Sequence, residues 1–325
     1  MLEKFQGVIV GSALGDAIGK SLEDITKEQA LEYYGGRVEG FVEPHPHSPA
    51  YGLRPEDTSD ETTISMILCE SILSKKMIDP YDFFYRLLEF RKDELKHRQT
   101  DPTLLRAIDL LSSGISLEDA GCYSFSVEGI LRCSVVGLYH YYNPYLASEG
   151  GRLVSLITHR SPEIYDASGA YSALISLLIL ESYDLSRQED RLNLLEHLKV
   201  FMKREKSKKF IDTVIQLLKE GKSLEDAIAI LGNSTYVFES FPLALFIFLS
   251  NIGNPMEAFW QAVNACGDFG GDTDSIGYLV GSMVGAYYGL YVFPEDLVVN
   301  LERSEYYINI SQKLYELVVE QRERR

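Results

Sequence analysis

The sequence is short of basic residues. Its 325 residues include 31 lysines and arginines against 48 aspartates and glutamates, which gives a formal net charge of -17. Such an excess of carboxylates repels nucleic-acid phosphates, because no basic stripe is large enough to offset it. We therefore predict that neither DNA nor RNA is a partner.

Paired cysteines and targeting signals are also lacking. The four cysteines lie singly in apolar segments, without the close spacing of disulfide frameworks or zinc sites. The apolar patch at residues 7–14 is interrupted by Asp16, and no small-residue cleavage site follows it. The sequence therefore predicts reduced thiols and a cytoplasmic protein.

Two further patterns are scarce. These are the strict alternation of apolar and polar residues that is typical of strands, and linkers rich in proline, glycine or serine. Hydrophobic residues make up 46% of the chain, which is enough for a substantial core, and they recur mostly at helical spacing. We predict an all-α protein in which residues 1–325 form one domain.

Glycines recur at every fourth position in two segments. They are Gly7, Gly11, Gly15 and Gly19 near the N-terminus, and Gly277, Gly281, Gly285 and Gly289 near the C-terminus. A glycine inside a helix costs about 1 kcal/mol relative to alanine, so a stripe of four indicates that another backbone approaches that face closely. We expect the two striped helices to pack on each other, with the C-terminal one in the middle of a helical bundle.

The second striped segment belongs to a run without charged residues, at residues 275–294. Such a run is long enough to span a bilayer. Its tyrosines and its acidic flanks, where a basic anchor would be expected, favour a buried helix instead. We predict no membrane contact.

An oxygen-rich segment precedes that run. Asp272, Asp274 and Ser275 follow a Gly-Gly turn at the start of the predicted helix. Hard cations such as Mg2+ bind oxygens of this kind. One of these residues could instead serve only as the helix N-cap. A cap needs a single residue, however, so the segment favours a metal site.

A second oxygen-rich segment lies at residues 56–63 and includes Ser59, Asp60 and Glu61. A capping box between Thr58 and Glu61 would explain it without a metal, since acids in a first turn also favour the helix dipole. Two hard cations, however, need carboxylates from more than one segment. Paired with the first segment, this one becomes a candidate for the same metal site.

The tetrapeptide Ser-Leu-Glu-Asp occurs at residues 21–24, 116–119 and 223–226. Each copy resembles a capping box that opens a short helix. Glu23 in the first copy is also a functional candidate because of its surroundings.

Two buried polar residues are predicted farther along the chain. Residues 127–142 read as one buried helix that contains Arg132, whose guanidinium either pairs with a carboxylate or faces an anionic ligand. His159 lies in a turn between apolar helices, where it is as readily a structural histidine as a ligand-binding one. The sequence leaves both alternatives open.

These segments resemble the ADP-ribosylglycohydrolase family, of the dinitrogenase reductase-activating glycohydrolase type. The matching motifs are G-D-A-I-G at residues 15–19 followed by Glu23, S-D-E-T at 59–62, T-H at 158–159, E-S-F-P-L-A-L at 239–245 and G-G-D-T-D-S at 270–275. They extend over almost the whole chain, and the last is the most specific.

The resemblance implies an orthogonal all-α bundle that cleaves the glycosidic bond between ADP-ribose, or a related nucleotide-ribose, and its acceptor. It also implies a site for two Mg2+ ions, with Mn2+ as a substitute. The implied metal ligands are Ser59, Asp60, Glu61, Asp272, Asp274 and Ser275. Asp60 and Glu23 are the candidates for catalysis, and Gly129, Arg132 and His159 those for substrate binding.

One position and one segment depart from the family pattern. Glu61 stands where the family usually has aspartate, and its extra methylene shifts a carboxylate in a shell for which Mg2+ demands near-octahedral geometry. In the substrate loop, at residues 126–132, only Arg132 matches, and Glu128 adds a negative charge where a diphosphate is expected. These departures favour an alternative: a catalytically impaired member that binds a metal or nucleotide, or has a structural role.

Overall fold

The molecule is built from helices, which contain 68% of its residues. The computed structural model describes residues 1–93 and 97–324, and in these ranges β-structure is confined to isolated bridges such as that between Ser126 and Tyr236. The prediction of an all-α fold is confirmed. The helices are α1 (Leu2–Gly19), α2 (Lys27–Tyr34), α3 (Asp60–Lys75), α4 (Pro80–Lys92), α5 (Pro102–Ser112), α6 (Glu128–Leu131), α7 (Cys133–Tyr139), α8 (Pro144–Leu156), α9 (Pro162–Ile179), α10 (Gln188–Leu198), α11 (Glu205–Glu220), α12 (Leu224–Leu231), α13 (Val237–Ser250), α14 (Pro255–Val263), α15 (Thr273–Tyr288), α16 (Glu295–Asn300) and α17 (Ser304–Glu323).

Helices α1 and α15 form the central pair. They run antiparallel, with Gly7 facing Gly285 near one end and Gly15 facing Gly277 near the other. A Cβ atom on Gly15 would overlap the carbonyl oxygen of Gly277, and one on Gly285 would overlap that of Gly7. Only glycine lets the two backbones approach this closely. The prediction that the striped helices pack on each other is confirmed.

Helix α15 is surrounded by protein. All its residues from Thr273 to Ala286 are buried, and α1, α9, α13 and α14 pack around it. A helix that is apolar on all sides requires such surroundings. Among the described residues, no helix combines the length and hydrophobicity needed to cross a bilayer.

Three helix ends meet at one place. The Thr273 hydroxyl at the start of α15 donates a hydrogen bond of 2.7 Å to the Gly19 carbonyl at the end of α1. The backbone N–H of Ser59, just before α3, donates to the Asp16 carboxylate at 3.0 Å. The N-termini of α3 and α15, whose unpaired N–H groups favour negative charge, thereby come together at the C-terminal end of α1.

The predicted helix at residues 127–142 is divided in two. Helices α6 and α7 meet at Arg132, so the prediction of one continuous helix is wrong. Both helices are buried, so the apolar pattern continues through them and a break of one residue cannot be recognised from the sequence.

Only one Ser-Leu-Glu-Asp copy opens a helix. Ser223 forms the predicted capping box at the start of α12. In the first copy the Ser21 hydroxyl donates instead to the Val42 carbonyl at 3.1 Å, and residues 116–119 form a turn. The prediction is wrong for these two copies. In the first, the contact with Val42 takes the hydroxyl that local capping would use.

Candidate functional site

Carboxylates from several segments converge where the three helix ends meet. Oxygens of Asp16, Glu61 and Asp274 lie within 4.8 Å of one another, and so do oxygens of Glu23, Asp272 and Asp274. We call these residues the acid cluster. The two oxygen-rich segments predicted from the sequence are thus adjacent in the folded chain, and Asp274 belongs to both groups.

Asp16 ties α1 to the start of α3. Its carboxylate accepts hydrogen bonds from the backbone N–H of Ser59 at 3.0 Å and of Thr62 at 3.3 Å, and from the Thr62 hydroxyl at 2.5 Å. The sequence analysis treated Asp16 only as part of a motif and missed its place in the site. The G-D-A-I-G motif was the signal that could have identified it.

Glu61 is not engaged in helix capping. The N-cap of α3 is Ser59, whose hydroxyl accepts from the Glu61 N–H at 3.3 Å, whereas the Thr58 hydroxyl lies 3.2 Å from that of Tyr307. The capping box between Thr58 and Glu61 is therefore not formed. Oε2 of Glu61 is buried without a hydrogen-bond partner.

Asp60 lies beside the acid cluster but in neither group of three. Its Oδ2 accepts from the backbone N–H of Arg98 at 3.0 Å and from the Thr100 hydroxyl. Its Oδ1 is buried without a hydrogen-bond partner. One oxygen is thus held by the protein while the other remains free for a ligand.

Glu23 reaches the acid cluster from the turn that follows α1. Its carboxylate accepts a hydrogen bond from the side-chain amide of Gln99. The next residue, Asp24, has a φ of 59°, in the left-handed region, and its N–H donates to the Gly271 carbonyl at 2.9 Å. Tertiary contacts, and not a capping box, therefore orient Glu23.

Asp272 occupies the N-cap position of α15 without acting as a side-chain cap. Asp272 Oδ2 and Ser275 Oγ are both buried without a hydrogen-bond partner. Asp274 Oδ1 accepts from the Ser275 N–H at 3.0 Å. Capping alone therefore does not explain why three oxygen-bearing side chains stand here.

Burial makes these carboxyl groups difficult to ionise. It raises the pKa of Asp272 to about 6 and the pKa of Asp60 to about 7. Burial, reinforced by the charge of Asp274, raises the pKa of Glu23 and of Glu61 well above the usual range. The pKa of Asp274 is raised in the same way, by burial and then by Asp272. Ionised carboxylates so placed need a countercharge.

Lys20 supplies part of that countercharge. Its side chain is fully buried, and its ammonium donates to the carbonyls of Ala17 at 2.8 Å and Pro55 at 3.0 Å. Burial lowers the pKa of Lys20 to about 8, although the nearby negative charge of Asp16 acts to raise it. One ammonium cannot balance the whole acid cluster.

The acid cluster fits divalent metal ions. Its donors are hard oxygens, the kind that Mg2+ and Mn2+ bind. Asp60, Glu61, Asp272 and Ser275 each present a buried oxygen without a partner. Buried carboxylates are otherwise paired with cations or coordinate metals. The residues present are thus suited to a metal centre.

The predicted substrate-binding residues lie side by side. A Cβ atom on Gly129 would lie 2.7 Å from Cβ and Cγ of His159, so only glycine fits there. Arg132 donates to the Thr158 hydroxyl at 3.1 Å. His159 is fully buried, with Nε2 2.6 Å from Asp101 Oδ2. In this arrangement His159 orients Asp101.

A small cavity of about 20 Å³ separates these residues from the acid cluster. Its lining includes Asp60, Glu61, Asp101, Glu128 and Arg132. Burial, reinforced by the charge of Asp101, raises the pKa of Glu128 well above its usual range. The sequence analysis missed Asp101, because an aspartate before a proline reads as an ordinary helix cap.

The comparison with known families decides the identity. The sequence model of the family described as ADP-ribosylglycohydrolase matches residues 1–324. The chain belongs to the ADP-ribosylglycohydrolase family. It is therefore a glycohydrolase of the class that cleaves ADP-ribose linkages, and this family is metal-dependent. The resemblance inferred from the motifs is confirmed.

Relatives of this ADP-ribosylglycohydrolase align over nearly their whole length. An uncharacterized protein of Archaeoglobus fulgidus is 28% identical, with 98% of this chain and 97% of that protein covered. The human ADP-ribosylhydrolase ARH3 is 24% identical, with 97% and 93% covered. The ADP-ribosylarginine hydrolase Tri1 of Serratia proteamaculans is 23% identical, with 98% and 81% covered.

A solved structure has a similar fold. It is titled "ADP-ribosylglycohydrolase-related protein complex" and superimposes with a TM-score of 0.73 at 22% sequence identity, with 98% of both chains covered. The likeness supports the bundle architecture.

Proposed function

We propose that this ADP-ribosylglycohydrolase cleaves the glycosidic bond between ADP-ribose, or a related nucleotide-ribose, and its acceptor at a site for two Mg2+ ions, which Mn2+ can replace. The acid cluster carries the proposal. The acid cluster contains two groups of three carboxylates, and within each group the oxygens lie within 4.8 Å of one another. The two groups share Asp274, as expected for two neighbouring ions with one common ligand.

The proposed ligands come from the two oxygen-rich segments. They are Ser59, Asp60 and Glu61 at the start of α3, and Asp272, Asp274 and Ser275 at the start of α15. Asp16 holds the first of these segments in place and adds its own charge. When bound, divalent ions supply positive charge to an anionic ligand and polarise a water molecule.

Two carboxyl groups are assigned to catalysis. Glycosidic cleavage passes through an oxocarbenium-like state, which a nearby carboxylate stabilises. We assign Asp60 to that role, because it lines the cavity beside the acid cluster and its Oδ1 has no hydrogen-bond partner. We assign Glu23, which is only half-buried, to accept the proton of the attacking water.

Three residues are assigned to the substrate. Arg132 lines the cavity and carries a buried guanidinium whose Nε has no partner, which suits an anionic group of the nucleotide. Gly129 lets the loop pack against His159, and His159 in turn fixes Asp101. We therefore treat His159 as a positioning residue.

Product release tests the proposed function. The protein is incubated with Mg2+ or Mn2+ and with ADP-ribosylated arginine, ADP-ribosylated serine or O-acetyl-ADP-ribose, and free ADP-ribose is measured by chromatography. We expect release from at least one substrate, and none after chelation of the metal. Absence of release from all three substrates with both metals would refute the hydrolase assignment.

One observation favours the alternative of an impaired member. The cavity beside the acid cluster has a volume of only about 20 Å³, and the acidic side chain of Glu128 lines it. Titration calorimetry with ADP-ribose separates the two functions. Tight binding without turnover would identify a binding protein, whereas binding with turnover identifies the enzyme.

A further inference from the structure

A larger cavity borders Asp272. It has a volume of about 760 Å³ and lies between Asp24, α12 and the turn at residues 267–271. A neighbouring cavity of about 590 Å³ extends it, because residues such as Leu224 and Cys266 line both. We call the two together the long groove. Asp272, whose Oδ2 is buried without a partner, lines its inner end, so the groove starts at the acid cluster.

The wall of the long groove carries uncompensated negative charge. Asp24, Glu239 and Asp268 line it and form no ion pair among the residues that the structure describes. Glu225 has only a distant partner, since its carboxylate lies 4.0 Å from the ammonium of Lys27. Lys27 and Arg37 also line the groove, and Arg37 is paired with Glu257, so acids remain in excess. A concave wall with an excess of one sign concentrates ligands of the opposite sign.

Phe269 stands at the mouth of the groove and is fully exposed. It projects from a tight turn that the Gly267 N–H closes by donating to the Gly270 carbonyl at 2.8 Å. The face of an aromatic ring attracts a lysine or arginine side chain, and the attraction adds to that of neighbouring carboxylates. An uncovered ring beside unpaired acids therefore fits a cationic ligand.

The groove is rigidly built. The Asp24 N–H donates to the Gly271 carbonyl at 2.9 Å, and the Lys27 N–H donates to the Gly267 carbonyl at 3.0 Å. Asp24 also keeps a left-handed φ of 59°, which side-chain-bearing residues adopt only when the surroundings impose it. A surface held in this way loses little entropy when it binds a ligand.

We propose that the long groove binds a basic polypeptide segment, namely the part of an ADP-ribosylated acceptor that flanks the modified side chain. The proposal rests on the proposed function, because it places the nucleotide at the small cavity that Arg132 lines and the acceptor in the groove that Asp24 and Asp272 line. The larger cavity alone has a volume of about 760 Å³, and its neighbour extends it, so the groove has room for a chain segment beyond a small leaving group.

Peptide binding tests the proposal without hydrolysis. Fluorescence anisotropy is recorded at low salt, in EDTA and without ADP-ribose, for three short labelled peptides in which glycine alternates with arginine, serine or glutamate. We expect the arginine peptide to bind tightest and the glutamate peptide not at all. The affinity of the arginine peptide should fall as the salt concentration is raised, because exposed charges are screened beyond about 10 Å at 0.1 M salt.

Two variants locate the binding. Asp24→Asn combined with Asp268→Asn removes charge while keeping shape, and asparagine tolerates the left-handed backbone. We expect about fivefold weaker binding of the arginine peptide, in line with exposed charge pairs. Phe269→Ala should weaken binding of the arginine peptide about threefold through loss of the ring face.

The matched control is Glu305→Gln combined with Glu316→Gln. It removes the same charge from exposed positions of α17 outside the groove and should change the affinity for the arginine peptide little.

Two outcomes would overturn the proposal. One is an arginine peptide that binds no more tightly than the serine peptide, and the other is a control pair that weakens binding as much as the groove pair. In either case the separate hydrolysis assay with the three small substrates and both metals decides whether the proposed function still stands.

Discussion

Asp274 has the most connected position of any residue in the acid cluster, because it belongs to both groups of carboxylates. Each of the other four residues belongs to one group only. The proposed two-ion site therefore predicts that this side chain matters for both ions at once, whereas a change at Glu61 or Glu23 affects one group.

Replacing Asp274 with asparagine tests that prediction. We expect Mn2+ binding, measured by titration calorimetry, to be lost at both sites, and hydrolysis to fall by at least about 100-fold because the metal charge is lost. Asp296→Asn is the control, since Asp296 is exposed on α16, away from the long groove, and lies in neither group. An Asp274→Asn protein that still binds two ions would contradict the assignment.

Gly129, which the proposed function assigns to the substrate side, fits beside His159 only because it lacks a side chain. Gly129→Ala places a Cβ atom 2.7 Å from the His159 ring, which must then move away from Asp101. We expect a loss of about 1–3 kcal/mol in the free energy of unfolding from overpacking, and a weaker affinity for ADP-ribose by calorimetry. Gly36→Ala, with open space around its Cβ, should leave both unchanged. Wild-type affinity in the Gly129 variant would remove this residue from the site.

At the scale of whole elements, the α1–α15 pair decides where the acid cluster forms. The register of the two glycine stripes aligns the end of α1 with the start of α15. Asp16 then brings the start of α3 to the same place. The acid cluster is therefore a consequence of close helix packing, and a change in that packing should alter the proposed metal site.

Gly281→Ala tests this link. Its Cβ would overlap the Gly11 carbonyl, which is backbone and cannot swing away, so the two helices must separate. We expect the free energy of unfolding in urea, followed by circular dichroism, to fall by about 3 kcal/mol or more. Mn2+ affinity should fall as well. Gly40→Ala, whose Cβ meets no atom within 4 Å, is the control. If the two variants are equally stable, the packing argument is wrong.

At the scale of the whole molecule, the buried acids link stability to pH and to metal. Burial raises the pKa of Asp272 to about 6 and of Asp60 to about 7, from 3.8. At pH values between the pKa of these carboxyls in the unfolded chain and their pKa in the folded chain, the folded chain binds more protons than the unfolded one. The free energy of unfolding therefore falls as pH rises through this window. Lys20, with a pKa lowered to about 8 from 10.5, titrates above it.

The metal-free protein should therefore melt at a higher temperature near about pH 5 than near about pH 7.5, by at least about 3 °C. The midpoint is followed by circular dichroism in EDTA. Mg2+ should raise the midpoint more at the higher pH, because binding to the folded state replaces the missing countercharge. Asp272→Asn combined with Asp60→Asn should flatten the pH dependence. An unchanged slope in that variant would assign the pH effect to other groups.

Much of the fold was predictable because its signals are local. Helical spacing of apolar residues indicates an all-α chain, and glycine at every fourth position indicates two closely packed helices. The break at Arg132 and the fate of Ser21 were not predictable, because each depends on contacts with distant segments. Whether a sequence of the capping type begins a helix depends on competition between local and tertiary hydrogen bonds.

The family, the helical class and the two oxygen-rich segments could be identified from the amino-acid sequence, because each depends on residues that are close together in the chain. Which carboxylates meet follows from the folded chain alone. Folding joined Asp16 and Glu23 to the acid cluster and left Asp60 beside it. It also opened the long groove next to Asp272. Distances between residues far apart in sequence follow from packing, and packing is a property of the whole chain.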